Sequence, residues 1–278
     1  MYDLKPDAPE DYRGIYKPIG TKVPGMDICE LFPLQAKVAD KFNIIRSVHH
    51  NFADHGGGHK RFLTGRVPAT PTGTINDAPC VGSIASKKLE DYLNPNGLCN
   101  YVVLGNGRVN SVDTFAFGSA YLGNETHPFN VSGDPNSETF KVQNLSLNAG
   151  LFEERLNDRV SLLSGLDSLR KDVETSGLLD SMDAFNQRAI SMITSSEAHK
   201  AFDLSHESDA LRDRYGRHEW GQRAILARRL VERGVRFVQL YDQGWDAHSH
   251  IAKNLPKKCG QVDRPIAALI ADLKQRGL

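Results

Sequence analysis

The sequence has no excess of charge of either sign, because its 278 residues include 34 lysines and arginines and 34 aspartates and glutamates. Dedicated nucleic-acid-binding proteins normally carry a basic surface, so this balance argues against that class. The chain also lacks any run of 18 apolar residues, which argues against a membrane-spanning helix. With 40% hydrophobic and 24% charged residues, the composition is that of a globular protein with a buried core.

Cysteine is scarce, and no two cysteines form a Cys-x-x-Cys pair; the four are Cys29, Cys80, Cys99 and Cys259. This spacing argues against a cysteine zinc site and against a dense disulfide framework. We expect free thiols, with one disulfide as the open alternative. The sequence also lacks a P-loop, a dinucleotide fingerprint and a Gly-x-Ser-x-Gly elbow, so the enzyme classes that depend on them are not indicated.

Strands and helices are predicted to alternate along the chain. Apolar runs predict buried strands at residues 42–48, 101–104 and 235–241. Apolar spacing and stop signals predict helices at 31–41, 79–93, 151–173 and 206–233, a short helix ending near 65, and a last helix with Pro256 in its first turn that ends near 276. This alternation predicts an α/β fold with a mostly parallel sheet covered on both faces.

Two further expectations concern surface and loops. Residues 105–148 are rich in Gly, Asn, Ser and Asp without sustained periodicity, so we expect a functional loop or cap there. The Lys and Arg residues near 155–171 and 212–233 recur on polar helix faces, so we expect them to be solvated.

An unusually polar segment follows the first predicted strand, at the kind of strand end where ligands gather in α/β sheets. Residues 49–61 hold four of the ten histidines of the chain. If a helix begins near Gly56, His55 and His59 lie one turn apart and face the same point. The run Gly56–Gly58 would let backbone N–H groups approach an anion, with Lys60 nearby. The alternative is a solvated loop in which the glycines only form a turn.

A second polar segment follows the strand predicted at 235–241. Asp246 and His248 are two residues apart in a loop, so their side chains can converge on one metal ion. Asp242 can cap the turn or support a histidine, and Trp245 is expected to pack rather than to contact a ligand. Both loops follow strands predicted to be parallel, so we expect Asp54, His55, His59, Asp246 and His248 at the same end of one sheet.

With these residues the chain resembles the bacterial family called domain of unknown function 1501, in the alkaline phosphatase and sulfatase-like superfamily. The resemblance covers nearly the whole chain, and its motifs include Asp54-His55-Gly56-Gly57-Gly58, Leu63-Thr64-Gly65-Arg66, Ala201-Phe202-Asp203-Leu204-Ser205 and Gly244-Trp245-Asp246-x-His248. It implies a single alkaline phosphatase-like α/β/α sandwich over 1–278 that hydrolyses a small anionic sulfate or phosphate ester with a divalent metal ion, zinc or calcium.

Combined with the residue patterns, the resemblance assigns a role to each candidate. Asp54, Asp246 and His248 are expected to hold the metal, and His55 and His59 to act at the ester. Gly56, Gly57, Gly58 and Lys60 are expected to bind the anionic group of the substrate. His55 stands nine residues before Thr64, where sulfatases carry the cysteine that becomes formylglycine. This departure argues against a formylglycine mechanism.

The resemblance also implies that family members are longer than this chain. They usually begin with a twin-arginine export signal and a Gly-Gly-Pro segment, and they continue into a Gly-Glu-Phe-Gly-Arg segment and a late Asp-His segment. We therefore expect an internal piece of a periplasmic or exported protein, incomplete at both ends and inactive by itself. The competing hypothesis is a non-catalytic binding protein that keeps the fold.

Overall fold

A computed structural model describes residues 4–70, 76–89, 94–105, 118–142 and 189–278, with isolated residues and two short strands between these ranges. The α-helices are α1 (Glu10–Arg13), α2 (Pro33–Ala36), α3 (His55–Thr64), α4 (Val81–Lys88), α5 (Ser196–Phe202), α6 (Asp209–Tyr215), α7 (Glu219–Glu232) and α8 (Ile251–Arg276). The strands are β1 (Pro18–Gly20), β2 (Asp27–Cys29), β3 (Tyr101–Leu104), β4 (Arg108–Val109), β5 (Val112–Asp113), β6 (Phe129–Val131) and β7 (Phe237–Leu240). The helix predicted at 151–173 lies outside the described residues.

The central sheet is parallel and has the strand order β6-β3-β7. All four residues of β3 are buried. Tyr101 and Val103 pack with Leu63 of α3 on one face, whereas Val102 and Leu104 join the core that includes Ala224 of α7 on the other. This confirms an α/β fold whose parallel sheet is covered on both faces, because a strand exposed on one face would alternate buried and exposed residues.

Helices α7 and α8 pack against each other, and α7 also packs on β7. Among the residues of α7, Arg223, Arg228 and Arg229 are buried, so the expectation that the cations of this region are solvated is wrong for them. Arg228 contacts Glu207 at 2.7 Å, and Arg229 Nε donates to the carbonyl of Ala201 at 3.1 Å. Burial is tolerated because each guanidinium has partners from neighbouring elements.

The amino-terminal part of the chain packs on α8. Strands β1 and β2 form an antiparallel pair, and Cys29 of β2 lies in one buried cluster with Cys259 and Val262 of α8. The carboxylate of Asp263, also on α8, accepts hydrogen bonds from the backbone N–H groups of Leu34 and Gln35 at 3.0 and 2.9 Å. It thus caps α2 from a distant part of the chain. All four cysteines are free thiols.

Three local predictions are corrected by the structure. Residues 42–48 do not form a strand, and Ile45 and Val48 are 71% and 67% exposed. An apolar run becomes a strand only when a neighbouring strand pairs with it, and in the described part of the chain β7 pairs only with β3. Part of the segment predicted as a loop, Phe129–Val131, is instead strand β6 of the sheet. The helix predicted at 206–233 is interrupted at Gly216, whose φ of 100° ends α6.

Two of the predicted helices differ in extent. The last helix begins at Ile251, so Pro256 lies inside it rather than in its first turn, and only Pro33–Ala36 of the helix predicted at 31–41 is α-helical. Other elements follow the prediction closely. β3 has its predicted bounds, β7 lies within the predicted strand, and α8 ends at Arg276. Gly234 has a φ of 85° and stops α7, as expected of a residue without a side chain. None of the helices in the described ranges combines the length and apolarity needed to cross a bilayer.

Candidate functional site

Helix α3 presents two histidines on one face because its first turn is strongly capped. Asp54 precedes the helix, and its Oδ1 accepts a hydrogen bond from the N–H of Gly57 at 2.9 Å. At the other end, Gly65 has a φ of 69° and its N–H bonds to the carbonyl of Arg61. His55 and His59 therefore lie one turn apart, with ring centroids separated by 6.5 Å.

The loop after β7 is held by a side-chain clamp made of Asp242, Trp245 and Lys258. The indole N–H of Trp245 donates to Asp242 Oδ2 at 2.9 Å, and Lys258 Nζ on α8 donates to Asp242 Oδ1 at 2.8 Å. Lys258 Nζ also lies 5.6 Å from the centre of the Trp245 ring. A charge-assisted pair and a cation–π contact thus fix the loop that carries Asp246 and His248.

The two polar segments meet at one carboxylate. His55 Nε2 lies 2.9 Å from Asp246 Oδ2, and His248 Nε2 lies 2.6 Å from the same oxygen. One ligand atom from each of the three residues falls within 4.8 Å of the others. The expected convergence of side chains from two distant segments is confirmed for these three residues, although residues 42–48 ahead of His55 form no strand of the sheet.

The three residues form a donor set that fits a divalent metal ion. Two imidazole nitrogens and one carboxylate oxygen are ordinary zinc ligands at ~2.0–2.2 Å from the metal. Tetrahedral ligands at that distance lie ~3.4 Å apart, so the 2.6 and 2.9 Å contacts must lengthen on binding. The side chains can move apart because those of His55, Asp246 and His248 are 46%, 40% and 81% exposed.

His59 contributes to the site through a different partner. Its Nε2 lies 2.6 Å from the hydroxyl of Tyr241, the residue that directly follows β7. Burial, and secondarily the nearby imidazole of His55, lower the pKa of His59, while burial raises the pKa of Tyr241. At neutral pH the pair therefore holds a neutral imidazole against a protonated phenol.

The residues at the start of α3 that were predicted to bind the metal or the anion make other contacts in the structure. Asp54 caps the helix and is not in the three-residue cluster, in which His55 stands beside Asp246 and His248. The N–H groups of Gly57 and Gly58 already bond to Asp54, through its side chain and its carbonyl respectively. These two N–H groups are thus unavailable to the substrate anion, which corrects that part of the prediction for Gly56, Gly57 and Gly58.

Close packing explains why glycine occupies this turn. A Cβ atom at Gly57 would lie 2.8 Å from Cγ of Phe52, and one at Gly58 would lie 2.9 Å from Nε2 of His50. The prediction that Lys60 binds substrate is also wrong, because its side chain is buried and Nζ donates to the carbonyl of Thr70 at 2.6 Å. A lysine that bonds inward in this way offers no charge to an external ligand.

Two residues important to this geometry were missed from the sequence. Tyr241 was counted only as the last apolar position of a strand, although a polar tip at a strand end is a usable signal. Lys258 lies on a helix far from the loop in sequence, and no local pattern links it to Asp242. The sequence thus indicates the residues of the cluster but not the residues that hold them in place.

The lowered pKa of His59 predicts a pH dependence of stability. In the unfolded chain the imidazole has its ordinary pKa near ~6.5, so below that pH the unfolded chain binds more protons than the folded one. The free energy of unfolding should therefore fall as the pH drops from about 7 to about 5, and His59→Gln should reduce this slope. Urea unfolding at several pH values measures it. In His59→Gln, part of this pH dependence of the free energy of unfolding should remain, because burial also lowers the pKa of His127 and His218.

The matched control for this experiment is His206→Gln, which changes a histidine whose side chain is 55% exposed. Its slope should equal that of the unmodified protein. Equal slopes for His59→Gln and the unmodified protein would contradict the assignment of a buried, neutral His59.

Comparison with known proteins yields one finding. The model of a family described as protein of unknown function (DUF1501) matches residues 1–278. No curated protein and no solved structure matches the chain.

Proposed function

This chain belongs to the DUF1501 family, and we propose that it is a metal-dependent hydrolase of sulfate or phosphate esters. The observation that carries the proposal is the cluster of His55, Asp246 and His248, whose ligand atoms converge within 4.8 Å. Three protein ligands are the usual number in a catalytic zinc site. As part of the same proposal, the fold is an α/β/α sandwich of the alkaline phosphatase and sulfatase-like superfamily.

The donor set favours zinc over calcium. Calcium takes six to eight oxygen ligands, whereas this cluster offers two imidazole nitrogens and one carboxylate. Zinc accepts such a mixture with three protein ligands and an open fourth position. In the proposed site His55 is therefore a metal ligand rather than a residue that acts on the ester.

The residues around the cluster have separate tasks in this proposal. A bound divalent ion would act as a Lewis acid on the ester oxygen. A neutral His59 keeps positive charge away from the cation at neutral pH, and its bond to Tyr241 fixes the ring. The clamp formed by Asp242, Trp245 and Lys258 keeps Asp246 and His248 within reach of His55.

The second candidate function is binding without catalysis. It is favoured by the openness of the cluster, because the side chain of His248 is 81% exposed whereas enzymes generally exclude water from the reacting atoms. It is also favoured by the presence of a histidine, His55, at the position where sulfatases carry their nucleophile.

Turnover distinguishes the two functions. Purified full-length protein, first treated with a chelator, is supplied with zinc and offered 4-nitrophenyl sulfate and 4-nitrophenyl phosphate. We expect turnover of one of these esters that requires zinc and is lost in Asp246→Asn, because the carboxylate contacts both histidines. The control Asp11→Asn, an exposed carboxylate on α1, should turn over substrate normally. Zinc binding without turnover of either ester would favour the binding function, and no zinc binding would contradict both.

A further inference from the structure

A small cavity lies between the start of α7, the end of β7 and α8. Its volume is about 220 Å³. Drug-sized ligands need cavities of ~300–1,000 Å³, so this cavity is suited to one small ring. Tyr241 lines the cavity and bonds to His59, whose ring centroid lies 6.5 Å from that of His55 in the three-residue cluster.

The charges that line this cavity are balanced. Arg223 pairs with Glu219, and Lys258 pairs with Asp242 at 2.8 Å. Two cations and two carboxylates leave no net charge to select an anion or a cation. The cavity therefore favours a neutral ligand over the anionic group of an ester.

The hydrogen-bonding groups of the cavity include both donors and acceptors. Lys258 bonds to Asp242 and to Gln261 Oε1 at 3.4 Å, but an ammonium has three N–H groups and a carboxylate about four lone pairs, so both keep positions for a ligand. The carboxylate of Glu219 also accepts, and the amides of Gln243 and Gln261 donate and accept. A ligand that satisfies such a mixture must itself donate and accept at several points. Hydroxyl groups do this, since each has one donor hydrogen and two acceptor lone pairs.

Two aromatic side chains complete the lining. Trp220 also packs against buried hydrophobic clusters, and Tyr241 packs against the cluster that contains Tyr101. Both rings are thus held in place, and they offer apolar surface to a ligand that carries C–H groups beside its hydroxyls. Flat apolar surface combined with polar edges matches a pyranose ring.

We propose that this cavity binds one neutral pyranose unit of a sugar. Its use as the subsite for the alcohol part of a sulfated or phosphorylated sugar rests on the proposed function. Binding of the sugar itself does not rest on the proposed function, because none of the three residues proposed to bind the metal lines the cavity. The two proposals can therefore fail separately.

The two tryptophans of the chain give separate signals, although Trp245 also contacts Asp242 and Lys258 of the cavity. Trp220 lines the cavity, whereas Trp245 adjoins Asp246 on the loop of the cluster. Protein labelled with 5-fluorotryptophan gives two fluorine resonances, which Trp245→Phe assigns. With chelator present, methyl glucopyranoside, galactopyranoside and mannopyranoside are titrated. We expect at least one of them to shift the Trp220 resonance saturably with a millimolar Kd, while tetrahydropyran, which lacks hydroxyls, does not.

Variants locate the binding. Gln261→Leu removes an amide from the cavity and should weaken pyranoside binding about three- to ten-fold, as should Gln243→Ala. Gln275→Leu, near the end of the same helix α8, is the matched control and should bind normally. No saturable shift with any pyranoside, or undiminished affinity in both cavity variants, would overturn the proposal. A shift of the Trp220 resonance that sulfate produces and no pyranoside produces would also overturn the proposal. Zinc titration, followed at Trp245, tests the cluster independently.

Discussion

Replacing Arg228 by methionine is expected to lower the free energy of unfolding by about 3 kcal/mol. The Arg228 side chain is 1% exposed and contacts Glu207, Glu232 and Asp272 at 2.7, 2.5 and 3.3 Å. Methionine keeps most of the volume but leaves these carboxylates without their shared cation. The loss falls at the lower end of the range for broken buried pairs because Arg229 and Arg276 still contact Glu207 and Asp272.

The destabilisation should depend on pH with a definite sign. Burial raises the pKa of Glu207, but Arg228 and Arg229 outweigh it and hold this pKa below its ordinary value. The pKa of Asp272 is lowered against the same burial effect by Arg276, Tyr215 and Arg228. A carboxyl group with a depressed pKa stabilises the fold above its unfolded pKa of about 4 and loses this contribution as the pH falls further. The difference between Arg228→Met and the unmodified protein should therefore shrink below about pH 4.

Urea unfolding of the two proteins near pH 7 and in acid measures this effect. The control is Arg264→Met, an exposed arginine on α8, which should change the free energy of unfolding by less than about 0.5 kcal/mol. A loss of less than about 1 kcal/mol for Arg228→Met would show that the buried network does not hold α7 against α8.

The second large effect concerns metal affinity. Asp246→Asn should weaken zinc binding by at least about 100-fold, because loss of an outer-shell partner alone costs about 10- to 100-fold and Asp246 is a direct ligand in the proposed site. The two histidines alone form an incomplete ligand set. Isothermal titration with zinc near pH 7 measures the affinity, and Asp11→Asn is the control on an exposed carboxylate of α1.

A second variant tests the geometry of the same site. Lys258→Met removes one partner of Asp242 without touching a ligand, so it should weaken zinc binding less than Asp246→Asn does. Unchanged zinc affinity in Asp246→Asn would show that the three side chains form only a hydrogen-bonded cluster.

Features with local causes were predictable from the sequence. Strand β3 is a short apolar run with buried neighbours on both faces, and α3 is determined by the cap at Asp54 and the stop at Gly65. The sequence also singled out the two polar segments that supply His55, Asp246 and His248. The parallel-strand rule does not explain why they meet, because no strand forms at residues 42–48 ahead of His55.

The exposure of apolar residues within 42–48 and the burial of the arginines on α7 could not be predicted from local patterns. An apolar run specifies burial only if another strand or helix receives it, and Ile45 and Val48 remain exposed in the structure. Arg228 lies on a helix face that looks polar in sequence, yet it is buried because Glu207 and Asp272 approach from other elements.

By itself, the sequence determined the α/β class and the ends of α3, because caps and apolar periods act within a few residues. Only the tertiary structure decided that His55 joins the cluster, that Lys60 turns inward, and that Lys258 holds the loop. The physical reason is that a polar side chain follows the partners that satisfy its hydrogen bonds and charge, and the fold alone brings those partners within reach.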